Sequence, residues 1–354
     1  MTVEVSSHFA SMNLKTNRIK VAQIAAGLRE LLKRKSEYEQ LIRQVRWGER
    51  ALAIVGEGSM LPASLTAACA FESLLGWPVV AREAAEFKAY ALPTIQPRSV
   101  VMAVSPSGEN EALVSLAQAA IRRGATVLGV TENSEGSLAN IARGIFRLPG
   151  IEPVARAQTN LIQHAALAYI AIIAAGVFNP PQAQGKDLEE EFKNLPDHME
   201  WLQTHLADAV RSLASEVKET ARLALLGRGF YYPVALEAAA WTREITSGRI
   251  EAPHLAIIGH GPLRGRWSRD DCILFLSGSN CRTKRVIQEL ASELKKSQAK
   301  LLAITDRNDR HLSDLCKASI LLPVLPEIPS ALLALALLEW LIAEAAVGKY
   351  SSCI

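Results

Sequence analysis

Two short stretches combine hydroxyls and glycines in the way that holds an anion, and a third, polar stretch could close the pocket beside them. They are Gly56-Glu57-Gly58-Ser59, Ser105-Pro106-Ser107-Gly108-Glu109-Asn110 and Arg156-Ala157-Gln158-Thr159-Asn160. Bare amides at the start of a helix, with a hydroxyl beside them, can hold a phosphate without lysine or arginine. Each stretch also has an ordinary structural use, as a tight turn or a helix N-cap. A second set offers acid–base chemistry. Glu237 and Glu244 lie seven positions apart, two helical turns, and His260 sits in the glycine-rich stretch Gly259-His260-Gly261-Pro262. A carboxylate and an imidazole beside a sugar carbonyl suit proton movement between C1 and C2. The plainer alternative makes the two glutamates a solvated or capping face and His260 a loop residue.

Other chemistries lack their residues. No GxxxxGK[ST] loop occurs, and a GxGxxG fingerprint fails at Leu61. His8, His164, His198, His205, His254 and His311 are scattered without metal-ligand spacing and read as structural. Cys69, Cys272, Cys281, Cys316 and Cys353 form no CxxC pair, so no disulfide framework and no metal site is expected.

These stretches must be carried by a scaffold, and the hydrophobic pattern predicts one. Ala51–Val55 is a short, wholly apolar run that stops at the first glycine turn, the mark of a strand buried on both faces. Val79-Val80, Ser99–Val104, Thr126–Val130 and Ile145–Leu148 are further short runs, with helical stretches such as Ala63–Leu75 and Asn110–Arg123 between them. Alternating buried strands and helices predict a parallel sheet covered on both faces. The pattern then recurs. Leu223–Leu226 ends at Gly227-Arg228-Gly229 before a helix from Tyr232 to about Ser247, and Cys272–Leu276 ends at Ser277-Gly278-Ser279-Asn280 before a helix from Arg282 to Ser297. Leu301–Asp306 mirrors Val127–Glu132. From Gly56 to Gly227 is 171 positions and from Thr131 to Thr305 is 174. Ordered landmarks at a nearly constant offset indicate an internal duplication.

The expected organisation is an arm and one helix (Val21–Trp47) over residues 1–45, one α/β half over 46–182, and a charged helical connector over 183–216. A second half covers 217–348, and 349–354 is a tail. The 354 residues suffice for two domains, and 49% hydrophobic with 21% charged residues excludes a disordered chain. With 39 basic and 36 acidic residues, the net charge of +3 is too mild to point to nucleic acid. The N-terminus lacks the apolar core of a signal peptide, and the longest uncharged apolar run, Ala165–Phe178, is 14 residues, short of the ~20 of a membrane span. A cytoplasmic protein with no membrane partner is expected.

Taken in order, GxGS, S-x-SGE-N, VTEN, LGRG-YYPVALEAA, an E-x-T-S helix end and GHGP resemble the double sugar-isomerase (SIS) family over about residues 46–348. The resemblance is to the isomerase half of glucosamine-6-phosphate synthase and its glutaminase-free relatives, amino-sugar-phosphate deaminases and fructosamine-phosphate deglycases. It implies an α/β fold of two tandem SIS domains, each a three-layer α/β/α sandwich around a parallel sheet. It further implies that Gly58, Ser59, Ser105, Ser107, Gly108 and Asn110 hold a sugar phosphate, with Ala157, Gln158 and Thr159 along its far side. Glu244 would transfer the proton, with Glu237 on the same helix. His260 would assist ring opening, reaching the site of a neighbouring subunit, so a homodimer with shared sites is implied and no cofactor is needed.

The chain departs from the family pattern at several positions. A proline, Pro106, stands where the family has glutamine between the two serines, and Met60 replaces a hydroxyl after Ser59. Trp241 and Asn160 stand where the synthase has lysines, and the synthase's C-terminal lysine tail and N-terminal glutaminase domain have no counterpart in this sequence. The expected activity is therefore isomerisation or deamination of a phosphorylated (amino) sugar without glutaminase chemistry. The alternative is a sugar-phosphate sensor that does not turn over. A DNA-binding regulator would need a domain that residues 1–46 are too short to supply.

Overall fold

The computed structural model describes residues 21–47, 52–150, 156–179, 183–246, 250–260 and 267–347. Helices α1 (Val21–Leu32) and α2 (Lys35–Gln44) precede a first half in which strands and helices alternate. Its elements are β1 (Leu52–Gly56), α3 (Met60–Leu75), β2 (Val79–Glu83), α4 (Ala84–Glu86), β3 (Val100–Val104), α5 (Glu111–Arg122), β4 (Thr126–Thr131), α6 (Ser137–Ile141), β5 (Gly144–Arg147) and α7 (Arg156–Phe178). Three helices follow: α8 (Ala183–Lys193), α9 (Leu195–His205) and α10 (Ala207–Lys218). The second half comprises β6 (Arg222–Leu226), α11 (Tyr231–Thr246), β7 (Ile250–Glu251), α12 (Leu255–His260), β8 (Asp271–Leu276), α13 (Lys284–Leu294), β9 (Lys300–Asp306), α14 (Arg310–Leu315), β10 (Ala318–Leu322) and α15 (Glu327–Val347).

The two sheets are copies of one topology. Strands run β2-β1-β3-β4-β5 in one and β7-β6-β8-β9-β10 in the other, with every neighbouring pair parallel. Alternate residues of each central strand serve different layers. Leu52 and Ile54 face the same core as Leu223 and Leu225, whereas Ala53 and Val55 face an outer cluster on one sheet and Ala224 and Leu226 an outer cluster on the other. Apolar residues on both sides of a strand are what a sheet covered on both faces requires. The inner core is continuous. α3, α7, α11 and α15 pack on one another between the sheets, so one hydrophobic core runs through both halves.

Several expectations need correction. The helix predicted over Val21–Trp47 is two helices with a turn at Lys33-Arg34. The break lets α1 lie on α9 while α2 turns onto α7 and β5, where buried Tyr38 donates to the Arg147 carbonyl at 2.7 Å. The connector is also more than a link: α10 packs on α15 and α9 on α1, burying Met199, Leu202, Val210 and Leu213. β7, β10 and α15 are further elements: β7 is too short to show a period, and α15 is apolar on all sides and shows no helical stripe. By length and composition two helices, Asn160–Phe178 and Glu327–Ala345, could cross a membrane, although the uncharged run that the sequence shows is shorter. Their apolar windows are 78% and 89% buried inside the fold, as expected of central helices in a two-sheet core. The arm (residues 1–20) and the tail (349–354) lie outside the described residues.

Candidate functional site

In a doubly wound sheet of order 2-1-3-4-5, ligands bind at the carboxyl ends of the strands where the winding reverses, between the first and third strands. Here that point lies between β1 and β3, which are in register with Gly56 beside Val104. The turns Gly56–Ser59 and Ser105–Gly108 therefore leave the sheet side by side at the same level. The first turn requires glycine twice. A Cβ on Gly56 would come within 2.6 Å of Met60 Cβ, and Gly58 has φ +56°, a left-handed conformation that costs other residues energy. Ser59 occupies the N-cap of α3 without making a side-chain cap bond. Met60 is buried in the core, so its loss of a hydroxyl is a packing choice.

The second turn is built around its serines. Gly108 N donates to Ser105 Oγ at 3.1 Å and Glu109 N to Ser107 Oγ at 3.3 Å, and the two hydroxyls lie 3.4 Å apart. Ser105 is buried and Ser107 is exposed. Pro106 replaces a side-chain amide, but its carbonyl anchors the turn by accepting from Glu132 N and Thr131 Oγ1, each at 3.0 Å. Asn110 caps α5, its Oδ1 accepting from Leu113 N at 2.9 Å. Glu109 turns to Ser137, accepting from both its amide and its hydroxyl. Among the described residues, no acidic side chain bonds to the hydroxyls of Ser105 or Ser107.

Residues 157–159 fall inside the first turn of α7 rather than before it, and their side chains lie outside the described residues. α7 packs along α3, the helix opened by Gly58-Ser59. From there the polar chain continues inward. Asn160 Nδ2 donates to Glu237 Oε1 at 2.5 Å, and His164 Nε2 lies 3.6 Å from Glu237 Oε2. Glu237 is only 1% exposed, which overturns its reading as part of a solvated or capping face. Glu244 lies two turns further along α11 and His260 at the end of α12, not in a loop; neither side chain is among the described residues, nor are Gly261 and Pro262. Trp241 is buried in the core. Sequence reasoning read His164 as structural because its partners, Thr66 and Glu237, come from two other helices that no spacing rule links. No group of three or more His, Cys, Asp or Glu side chains converges as a metal site among the described residues.

The second half has the same turns. Gly227 and Gly229 repeat the first pair: a Cβ on Gly227 would meet the Tyr231 carbonyl at 2.5 Å, and Gly229 has φ +57°. The serine turn, however, is filled from within. Ser279 donates its amide (2.5 Å) and its hydroxyl (2.9 Å) to Asp306 Oδ2, while Asn308 N donates to Oδ1 at 2.9 Å. Asp306 occupies the position that Glu132 has in the first half. Glu132 remains half-buried, and burial pushes its carboxyl up.

The comparisons agree with this architecture. The SIS domain model matches twice, at residues 47–175 and 216–344. The glutamine–fructose-6-phosphate aminotransferase of Synechocystis is 26% identical over 303 residues, covering 82% of this chain and 47% of the relative. The chain thus spans about half the length of the curated relatives it matches. Among solved structures, the C-terminal domain of glucosamine-fructose-6-phosphate aminotransferase from Francisella tularensis superposes with a TM-score of 0.80 at 19% identity, covering 98% of each chain. The tagatose-6-phosphate ketose/aldose isomerase of Escherichia coli superposes with 0.74 at 16% identity, over 94% of this chain and 92% of that one. With both halves matched and the duplicated 2-1-3-4-5 sheet in place, the chain belongs to the SIS domain family.

Proposed function

We propose that this protein binds a phosphorylated sugar or amino sugar at the switch point of the first half and moves a proton between its C1 and C2. The observation that carries the reading is the pair of adjacent turns at the ends of β1 and β3. There Gly58, Ser59, Ser105, Ser107 and Gly108 offer amides and hydroxyls that no carboxylate of the chain, among the described residues, has claimed. Such a cradle binds the phosphate dianion through hydrogen bonds and a helix N-terminus. Asn110 steadies the cradle as the cap of α5, and Ala157, Gln158 and Thr159 line the sugar from the first turn of α7.

In the opened sugar, Glu244 takes a proton from one carbon as the neighbouring carbonyl oxygen gains one, giving an enediol or enolamine. Returning the proton to the other carbon, as the hydroxyl on the first gives up its own proton, completes the isomerisation. With an amino sugar the same return gives an imine, which water hydrolyses to the ketose and ammonia. His260 assists ring opening, and Glu237 is the second carboxylate of α11 on the site. The relatives named for phosphosugar substrates support this class, and the protein is read as a homodimer whose sites share His260. No cofactor or metal enters the scheme.

The test is to incubate the protein with glucosamine-6-phosphate and fructose-6-phosphate while following ammonia and ketose. Turnover that a Glu244→Gln variant loses supports the reading, and full activity in that variant removes Glu244 as the base. Mixing Glu244→Gln with His260→Ala subunits restores activity only if sites are shared between subunits. The burial of Met60 and Trp241 favours a second reading, a sensor that binds without turnover, because hydrophobic packing has taken the places of polar groups. That reading predicts a rise in Tm with sugar phosphate, following RT ln(1 + [L]/Kd), and no product.

A further inference from the structure

Five polar side chains are buried together where the halves meet, and the scheme above uses one of them. Asn160 and His164 come from α7, Glu237 from α11, Glu339 from α15 and Thr66 from α3; each is at most 4% exposed. Thr66 Oγ1 lies 2.8 Å from His164 Nδ1, fixing one edge of the ring. The opposite edge, Nε2, points to Glu237 Oε2 at 3.6 Å, and neither of these atoms has another hydrogen-bond partner. Glu237 Oε1 is taken by Asn160. Both carboxyl oxygens of Glu339 are buried without a partner, and burial, with the neighbouring charge of Glu237, pushes its carboxyl well above the usual carboxylate range.

Unpaired buried polar atoms are costly and call for an explanation. A core histidine that served only packing would have both ring nitrogens satisfied. Here one nitrogen is held by a threonine of the first half, and the other is aimed at a carboxylate of the second.

We propose that His164 is a positioning residue for Glu237, clamping its carboxylate together with Asn160 and so fixing the acid–base face of α11 against the first turn of α7. The residues that touch the sugar in the proposed scheme are 157–159, immediately before Asn160 on the same helix. Ligand contact and carboxylate geometry are thereby joined through a single turn of α7. Glu339 then remains neutral, because a second carboxylate beside Glu237 without a counter-charge is disfavoured. Among the described residues, the titratable groups that face Glu237 are His164 from α7 and Glu339 from α15; α3 contributes the Thr66 hydroxyl through the ring.

This inference rests on reading Glu237 as an acid–base residue, so the experiment has an arm that needs no turnover. Infrared spectra of protein carrying isotope-labelled glutamate, with Glu237→Gln and Glu339→Gln to assign the bands, report each carboxyl directly. The expected result is a protonated carboxyl band at neutral pH that Glu339→Gln removes. His164→Leu should shift the frequency of the Glu237 carboxyl band, because it removes the group aimed at Oε2, and His164→Gln, which keeps an N–H donor there, should restore most of the wild-type position.

In the kinetic arm, His164→Leu should lower kcat by roughly ten- to a hundredfold, the scale for a displaced catalytic group, with KM within about twofold. A folded His164→Leu protein whose Glu237 band matches wild type overturns the proposal, whatever its Tm. If that variant does not fold, Thr66→Val, which removes the hydroxyl holding the ring, decides, and an unmoved Glu237 band there is equally fatal. A moved band without turnover in any variant, or in wild type, keeps His164 in its place and removes the isomerase reading instead.

Discussion

The switch points of the two halves share strands, glycines and serine turn, yet they treat negative charge in opposite ways. In the first half the Ser105–Gly108 turn keeps its hydroxyls to itself, and Glu109 is drawn off to Ser137. In the second half the Ser277–Asn280 turn closes on Asp306, a carboxylate only 1% exposed. An internal carboxylate in an anion-binding turn does the work of a bound phosphate, and it does so permanently. Duplication gave two cradles; one residue at the end of β9 turned one of them into a structural joint. The second half carries α11, with Glu237 and Glu244, in place of an open cradle.

The largest effect should come from removing the serines on each side of this comparison. The Ser105→Ala/Ser107→Ala double variant removes two hydrogen bonds to a charged group, each worth about 1.5–3 kcal/mol, so sugar-phosphate affinity should fall roughly a thousandfold. Ser277→Ala/Ser279→Ala should leave affinity unchanged. Calorimetric titration of both variants distinguishes the halves, and equal losses would erase the distinction drawn between them.

Next in size are the strand-end glycines, where the halves should behave alike. Gly227→Ala forces a Cβ against the Tyr231 carbonyl and Gly56→Ala against Met60 Cβ. Overpacking of this kind costs about 1–3 kcal/mol, with Gly227 at the upper end because rigid backbone cannot give way. Urea midpoints would measure it. Asp306→Ala comes third. It strands the Ser279 and Asn308 donors and should cost about 2 kcal/mol. Inorganic phosphate should then raise the Tm of this variant more than that of wild type; no such gain would mean the second turn has lost its cradle shape altogether.

The smallest effect is electrostatic and confined to the second sheet. Burial alone would lift the Asp271 carboxyl, but the Ser268 amide and hydroxyl and the Arg222 guanidinium outweigh it and hold it below the ordinary value. A depressed folded pKa adds stability above the unfolded value of about 3.9, and that stability is lost as pH falls through the folded value. Arg222 is about a third exposed, so solvent screening keeps the contribution under ~1 kcal/mol. Hydrogen exchange at a pH well below about 3.9, compared with about pH 7, should show the paired starts of β6 and β8 opening first, and Arg222→Gln should abolish the difference.

Much of this was legible in the sequence, for a physical reason. A strand covered on both faces has to be apolar at every position, and a strand-end glycine has to be glycine, so Ala51–Val55 with Gly56 and Gly58, and Leu223–Leu226 with Gly227 and Gly229, could be read directly. β7 was missed because two residues carry no period. The break between α1 and α2 was missed because both segments keep helical spacing and only packing separates them. The polar cluster around Glu237 was illegible for a deeper reason: its members come from positions 66, 160, 164, 237 and 339, and only the folded inner layer brings them together. Asp306 was in view as part of a mirrored strand, but its role as resident anion depends on a side-chain direction that no repeat comparison contains.

The continuous inner core has a consequence for how the molecule is made. α7 is one wall of that core, and its opposite wall includes α15, which begins 149 residues after α7 ends (Phe178 to Glu327). During synthesis, the first sheet and its helices emerge with α7 packed on α3 and α2 but with its α15 side still uncovered. Translation at about 5–20 residues per second sets an interval of many seconds before that cover arrives. In that window α7 looks, by composition, like a segment destined for lipid. A nonsense mutation between the two halves should therefore leave a fragment that exposes the α15-facing side of α7.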